Sequence, residues 1–214
     1  MNTASPTRGS GQRPVSERIN GALRRVPIWP IYLLGALPPF WFFYLGLTGG
    51  LGVEPIKELE HRLGEIGLQA LIVALAVTPI RRFTGISLLR FRRAIGLIAF
   101  YYIACHLLAW LVLDVRDPAR IWQDIVKRPY ITIGMVAFLL LVPLAATSND
   151  RSVRKLGAAA WKRIHWLAYP ATILAAVHFV MLVKGWQIEP LVYLGVILGL
   201  LLSRIRVGRR ARRA

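Results

Sequence analysis

The sequence predicts an all-α integral membrane protein, a bundle of about six transmembrane helices with both termini cytoplasmic, and three observations carry that prediction. Hydrophobic residues make up 56% of the 214-residue chain and its mean hydropathy is +0.51, too apolar for a soluble domain with a polar coat. Six apolar stretches reach or approach the roughly 20 residues that a helix needs to cross a hydrocarbon core of about 30 Å. Basic residues crowd into every second connection between those stretches, as they do in a multi-pass protein.

Residues 1–27 form a polar, basic cytoplasmic tail with Arg8, Arg13, Arg18, Arg24 and Arg25. No small-residue cleavage site follows the next apolar stretch, so that stretch reads as a retained signal anchor. Residues 28–203 make up the transmembrane domain, with spans expected at 28–48, 65–80, 94–113, 131–147, 164–183 and 188–203, and residues 204–214 form a second basic tail. The second, fourth and sixth spans are short and gain residues from their flanks. Pro38, Pro39, Pro79, Pro143 and Pro170 can kink spans, where neighbouring helices re-satisfy the carbonyls a proline frees, although Pro79, like Pro129, is rather expected to mark a helix end. The connection at 184–187 is so short that the fifth and sixth spans must be antiparallel neighbours.

The formal charge of +18 would suggest a nucleic-acid partner in a soluble protein, but its distribution rejects that reading. The N-terminal tail, the 81–93 and 148–163 loops and the C-terminal tail hold 21 of the 28 lysines and arginines, and the alternate loops hold 7. Acids run the other way: Glu17 and Asp150 lie on the basic side and the other eight on the opposite side. Positive charge in short loops fixes orientation during insertion, so the excess charge is a topology signal, with attraction to anionic lipid as a by-product. Trp29, Trp41, Trp122, Trp161 and Trp186 fall near span ends, as an interfacial aromatic belt requires.

Of four histidines, His106 falls in the third span, and His165 and His178 at the start and in the outer half of the fifth, while His61 lies in the first outer loop. His106 lies 13 residues after Arg93 and His178 lies 15 after Arg163, on helices running the same way, so both sit about 20 Å from the inner boundary. Two imidazoles at matched depth on different helices suit the two axial positions of a b-type haem. Cys105 is the only cysteine, no C-x-x-C-H motif exists, and any haem is therefore non-covalent.

Each of these residues has a plainer reading. A lone intramembrane histidine also serves as an interhelical hydrogen-bonding group, and it is the depth match that favours ligation for His106 and His178. His165 precedes His178 by 13 residues, about 140° away around a continuous helix, so one haem-lining face does not hold both without a change of register at Pro170. Arg92, 14 residues before His106, shares its face and the depth of His165 and suits an inner site, although Arg92 and Arg93 also serve as topology charges. His165 beside Lys162 and Arg163 equally suits a solvated interfacial position, and His61 a surface one.

With these residues in view, the chain resembles the MsrQ (YedZ) family, the haem-binding membrane subunit of the bacterial periplasmic methionine-sulfoxide reductase system, within the ferric-reductase-like transmembrane superfamily. The resemblance covers nearly everything after residue 30. It is carried by GGLGVEPIKELEHRLG at 49–64, TPIRR at 78–82, LLRFRRAIGL at 88–97 leading to His106, KRPYITIG at 127–134, and WKRIHWLAY at 161–169 with His178 beyond. The resemblance implies an electron-transfer subunit of the bacterial inner membrane, fed by membrane quinol and carrying one or two haem b groups. His106, His165 and His178 match the positions the family uses for haem iron, and Arg92 matches the arginine of the inner site. It also implies flavin mononucleotide (FMN), for which no motif can be read, and a periplasmic molybdopterin-type methionine-sulfoxide reductase as the partner that repairs oxidised proteins.

Only residues 204–214 follow the last span, so a soluble flavin and nicotinamide domain of the kind other superfamily members append is not expected, and the chain is expected to be a redox subunit rather than a self-contained enzyme. Two other readings use the same histidines: a stand-alone ferric or small-acceptor haem reductase, and a histidine-relay transporter. With Glu65 and Asp114 placed at span ends, no acid is expected deep in a span to support the relay.

Overall fold

The computed structural model describes residues 15–183 and 187–211, with the side chains of the last helix described as far as Arg204. The described residues are mostly helical, with no strand among them. They form α1 (Val15–Arg25), α2 (Trp29–Leu47), α3 (Pro55–Thr84), α4 (Arg92–Ala109, continued by a π-helical turn over Trp110–Val115), α5 (Pro118–Lys127), α6 (Pro129–Ala146), α7 (Asp150–His165), α8 (Ala168–Leu182) and α9 (Ile188–Ala211). Five stretches of the described residues are long and apolar enough to cross a membrane: Trp29–Leu47, Pro55–Thr84, Arg92–Val115, Pro129–Ala146 and Asp150–Leu182. The sixth expected span is α9, which packs beside α8 as the short connection requires. Lys184 and Trp186 of that connection, like Arg8 and Arg13, lie outside the described residues.

Helix boundaries follow local chemistry. Pro55, Pro118 and Pro129 each stand in a first turn, where a missing N–H costs nothing. Asp117 caps α5 by accepting the Ala119 N–H at 2.9 Å, and Asn149 caps α7 by accepting the Ser152 N–H at 2.7 Å. Gly85 ends α3 in the left-handed region at φ 74°, donating its N–H to the Arg81 carbonyl at 3.0 Å.

Three expectations change here. Pro79 does not end its helix: α3 runs through it to Thr84 and begins at Pro55, so the acidic stretch expected as a loop is helical and His61 stands on a helix. Glu65 therefore lies inside a helix rather than at its end. Its carboxylate accepts from Gln69 at 2.8 Å and from the Tyr193 hydroxyl at 3.0 Å, tying α3 to α9. Trp161, expected in the belt, is tied into the fold: its indole N–H donates to the Thr147 carbonyl at 2.9 Å and its ring stacks on His165.

The fifth span also departs from a single helix. Gly157 in α7 takes φ 74° and ψ 154°, Trp166 and Leu167 form a turn, and α8 starts afresh at Ala168 with Pro170 in its first turn. His165 and His178 thus belong to different helices, and the phase conflict calculated for one continuous helix does not arise.

The centre of the bundle is α3, which touches α2, α4, α8 and α9. Small residues let the backbones approach. Ala99, Ala171 and Ala176 are fully buried, and a Cβ at Gly67 would come within 2.7 Å of Ile103. Large apolar side chains such as Leu34, Phe40, Leu139 and Leu202 point outward, the pattern of a surface whose solvent is lipid. The described basic residues Arg81, Arg82, Arg90, Arg92 and Arg93 gather at one end of α3 and α4, and Glu54, Glu58 and Glu60 at the other.

Candidate functional site

Two glycines build the site. On α3, Gly64 leaves room for the ring of His106 from α4, since a Cβ there would stand 3.2 Å from His106 Nδ1. On α6, Gly134 does the same for His178 from α8, with a Cβ only 2.8 Å from its Nδ1. Each ring then reaches the carbonyl one turn earlier on the glycine's helix: His106 Nδ1 lies 2.9 Å from Glu60 O, and His178 Nδ1 lies 2.7 Å from Tyr130 O. The two halves share one design, a carbonyl followed four residues later by a glycine.

A carbonyl oxygen can only accept, so each Nδ1 carries the proton and each Nε2 presents its lone pair. This is the second-layer contact that fixes the tautomer and the ring orientation of a metal-binding histidine. The ring centres are 6.3 Å apart with the planes at 71°. Two imidazole–metal bonds of about 2 Å, plus about 1.1 Å from each nitrogen to its ring centre, require about 6.2 Å for one ion held between both Nε2 atoms.

No group of three or more His, Cys, Asp or Glu side chains converges on a metal position among the described residues. The pair therefore suits an ion whose other ligands come from a macrocycle and does not suit a tetrahedral protein-only site. A cavity of about 300 Å³ adjoins the rings, walled by Ile103, Phe138, Leu141 and Phe179, with Lys57, His61, Asp114 and Arg128 among its polar lining. Glu65 also lines it but is committed to Gln69 and Tyr193 rather than to either histidine.

His165 lies elsewhere, at the basic end of the bundle. Its ring stacks on Trp161 at 3.8 Å, and its Nε2 lies 3.3 Å from the Thr147 hydroxyl. Arg92 and Arg93 are the cations whose fields reach it, and Arg93 is paired with Asp150 at 2.7 Å, while Arg92 has no ion pair among the described residues. His61 is exposed on α3.

Sequence reasoning missed the two glycines and the two carbonyls, whose only written trace is a glycine closing HRLG and YITIG. It also missed Arg204, counted with the tail. That side chain turns back into the bundle, donates to the Leu75 carbonyl and to the Tyr169 hydroxyl, and lies 5.3 Å from the Tyr169 ring centre.

Residues 63–176 match the family described as ferric reductase like transmembrane component. A protein of Brucella anthropi is 50% identical over 179 residues, covering 83% of this chain and 81% of its own length, and is named "Protein-methionine-sulfoxide reductase heme-binding subunit MsrQ". Proteins of Brucella ovis and Brucella canis, 51% identical over the same shares, carry the same name. No solved structure matches. This multi-pass membrane chain belongs to the MsrQ family, the haem-binding subunits of protein-methionine-sulfoxide reductase, within the ferric-reductase-like transmembrane proteins.

Proposed function

We propose that the chain is a transmembrane electron conduit, holding haem b between His106 and His178 and passing electrons from membrane quinol to a periplasmic methionine-sulfoxide reductase of the molybdopterin type. The observation that carries this reading is the pair of imidazoles with ring centres 6.3 Å apart, each held through its Nδ1 by a backbone carbonyl so that Nε2 keeps its lone pair. Bound haem supplies one-electron cycling of its iron between ferric and ferrous states.

The chain's own residues do the rest. His106 and His178 would ligate the iron, the Glu60 and Tyr130 carbonyls hold their tautomers, and Ile103, Phe138 and Leu141 supply apolar wall beside them. A second, inner haem at His165 with Arg92 is part of the proposal. It is supported by the family match and by the helix break that separates His165 from the register of His178. FMN rests on the family resemblance alone. The charge alternation supports cytoplasmic termini and a place in the bacterial inner membrane.

Purified protein is expected to show a Soret band and the sharp reduced bands of six-coordinate haem b, both lost from the outer site in His106→Ala and His178→Ala. Protein from haem-replete cells with no Soret absorbance would refute the conduit. Quinol-driven reduction that reaches an acceptor only when a soluble periplasmic reductase is present separates this function from direct reduction of ferric iron or another small acceptor.

A further inference from the structure

We propose that the arginine-lined hollow where α1 meets the 85–91 turn, remote from the histidines, binds a phosphoryl anion. The hollow has a volume of about 330 Å³ and is lined by Arg24, Arg81 and Arg90 together with Asn20, Ser87 and Phe91. Among the described residues no carboxylate lines it.

Topology charges alone need not converge, and here the fold makes them do so. Helix α1 has no buried residue of its own, yet Asn20 pins it to the turn twice. Its amide donates to Gly85 O at 2.9 Å, and its side-chain oxygen accepts the Ser87 N–H at 2.8 Å. Arg90 donates to the Arg24 carbonyl, and its guanidinium carbon lies 5.9 Å from the Phe91 ring centre, which braces it at the rim. The arginines of α1, α3 and the turn are thereby held around one space.

Their charge has no internal answer. Among the described residues the ion pairs use Lys57, Arg62, Arg93, Arg120 and Arg128, and none uses Arg24, Arg81 or Arg90. On the basic side of the sequence the only acids are Glu17 and Asp150, and Asp150 is paired with Arg93 at 2.7 Å. Arg24, Arg81 and Arg90, all exposed, line one polar hollow, and planar arginine forks bind the oxygens of a phosphate in pairs of hydrogen bonds. Two sources share that chemistry: the headgroup of an anionic phospholipid, and a soluble phosphate ester. The proposal does not depend on haem or on quinol.

Full-length protein in phosphatidylcholine nanodiscs is titrated with phosphatidylglycerol, followed by native mass spectrometry, and separately with glycerol 3-phosphate, followed by isothermal titration calorimetry. The wild type should retain one of the two preferentially, and the arm that responds identifies the source. Arg24→Gln/Arg81→Gln/Arg90→Gln should bind on the order of tenfold to a hundredfold more weakly. A control with the same charge change on α7, Arg151→Gln/Arg154→Gln/Lys155→Gln, should bind as the wild type does. Arg81 makes no side-chain hydrogen bond among the described residues, so the single Arg81→Gln keeps the fold and should lose about fivefold. A wild type that prefers neither probe, or a loss as large in the α7 control as in the triple variant, would overturn the site.

Discussion

An added methyl group at Gly134 would stand 2.8 Å from Nδ1 and 3.0 Å from Cε1 of His178, closer than a ring seated against a helix can tolerate. The ring would have to move off the Tyr130 carbonyl, losing its tautomer lock and its aim. Gly134→Ala is therefore expected to abolish or broaden the outer haem signal, while Gly64→Ala, with its nearest contact at 3.2 Å, should shift the signal and retain the haem. Equal spectra for both variants would contradict the seating geometry. The histidines could be found from sequence because depth along a helix is a matter of counting residues. Their seats could not, because a glycine has meaning here only through the partner helix that packs on it, and no single segment encodes that neighbour. Arg204 was hidden for a related reason: an arginine in a basic tail looks like every other one until Leu75 and Tyr169 are brought to it.

The break between α7 and α8 determines what Pro170 does. In the interior of a helix a proline costs about 3 kcal/mol, so replacing it by alanine would stabilise the protein. In the first turn of α8 it removes no needed N–H and only restricts the unfolded chain, so Pro170→Ala should lose about 0.4–1 kcal/mol. Thermal unfolding of the purified variant reads the sign directly, and a gain in stability would return Pro170 to a helix interior. Gly157 offers the complementary case. At φ 74° and ψ 154° it occupies a region open almost only to glycine, and Gly157→Ala should cost about 1–3 kcal/mol without altering the outer site. Composition and hydropathy revealed the spans because lipid imposes a length on each. They did not reveal this break, since a turn of Trp166 and Leu167 is as apolar as the helix it interrupts.

At the scale of the whole molecule, the histidine pair and His165 lie at different depths, and the distance between them bears on how many carriers are needed. Thirteen residues separate His165 from His178, a rise of about 20 Å along a helix, which is most of a hydrocarbon core of about 30 Å. A single haem at the His106–His178 site would leave an electron from the basic side without a stepping point over that span. A second haem near His165 and Arg92 fills the gap, and with α7 and α8 separate its ring need not share the orientation of His178. His165 would have to leave its stack on Trp161 and its 3.3 Å contact with the Thr147 hydroxyl. Haem extraction and quantification should therefore give two haems per chain in the wild type and one in His165→Ala, with the outer bands unchanged in the variant. His106→Ala should lose the other haem and keep the inner one. One haem per chain in the wild type, undiminished in His165→Ala, would leave His165 as a packing residue and confine the conduit to its outer half.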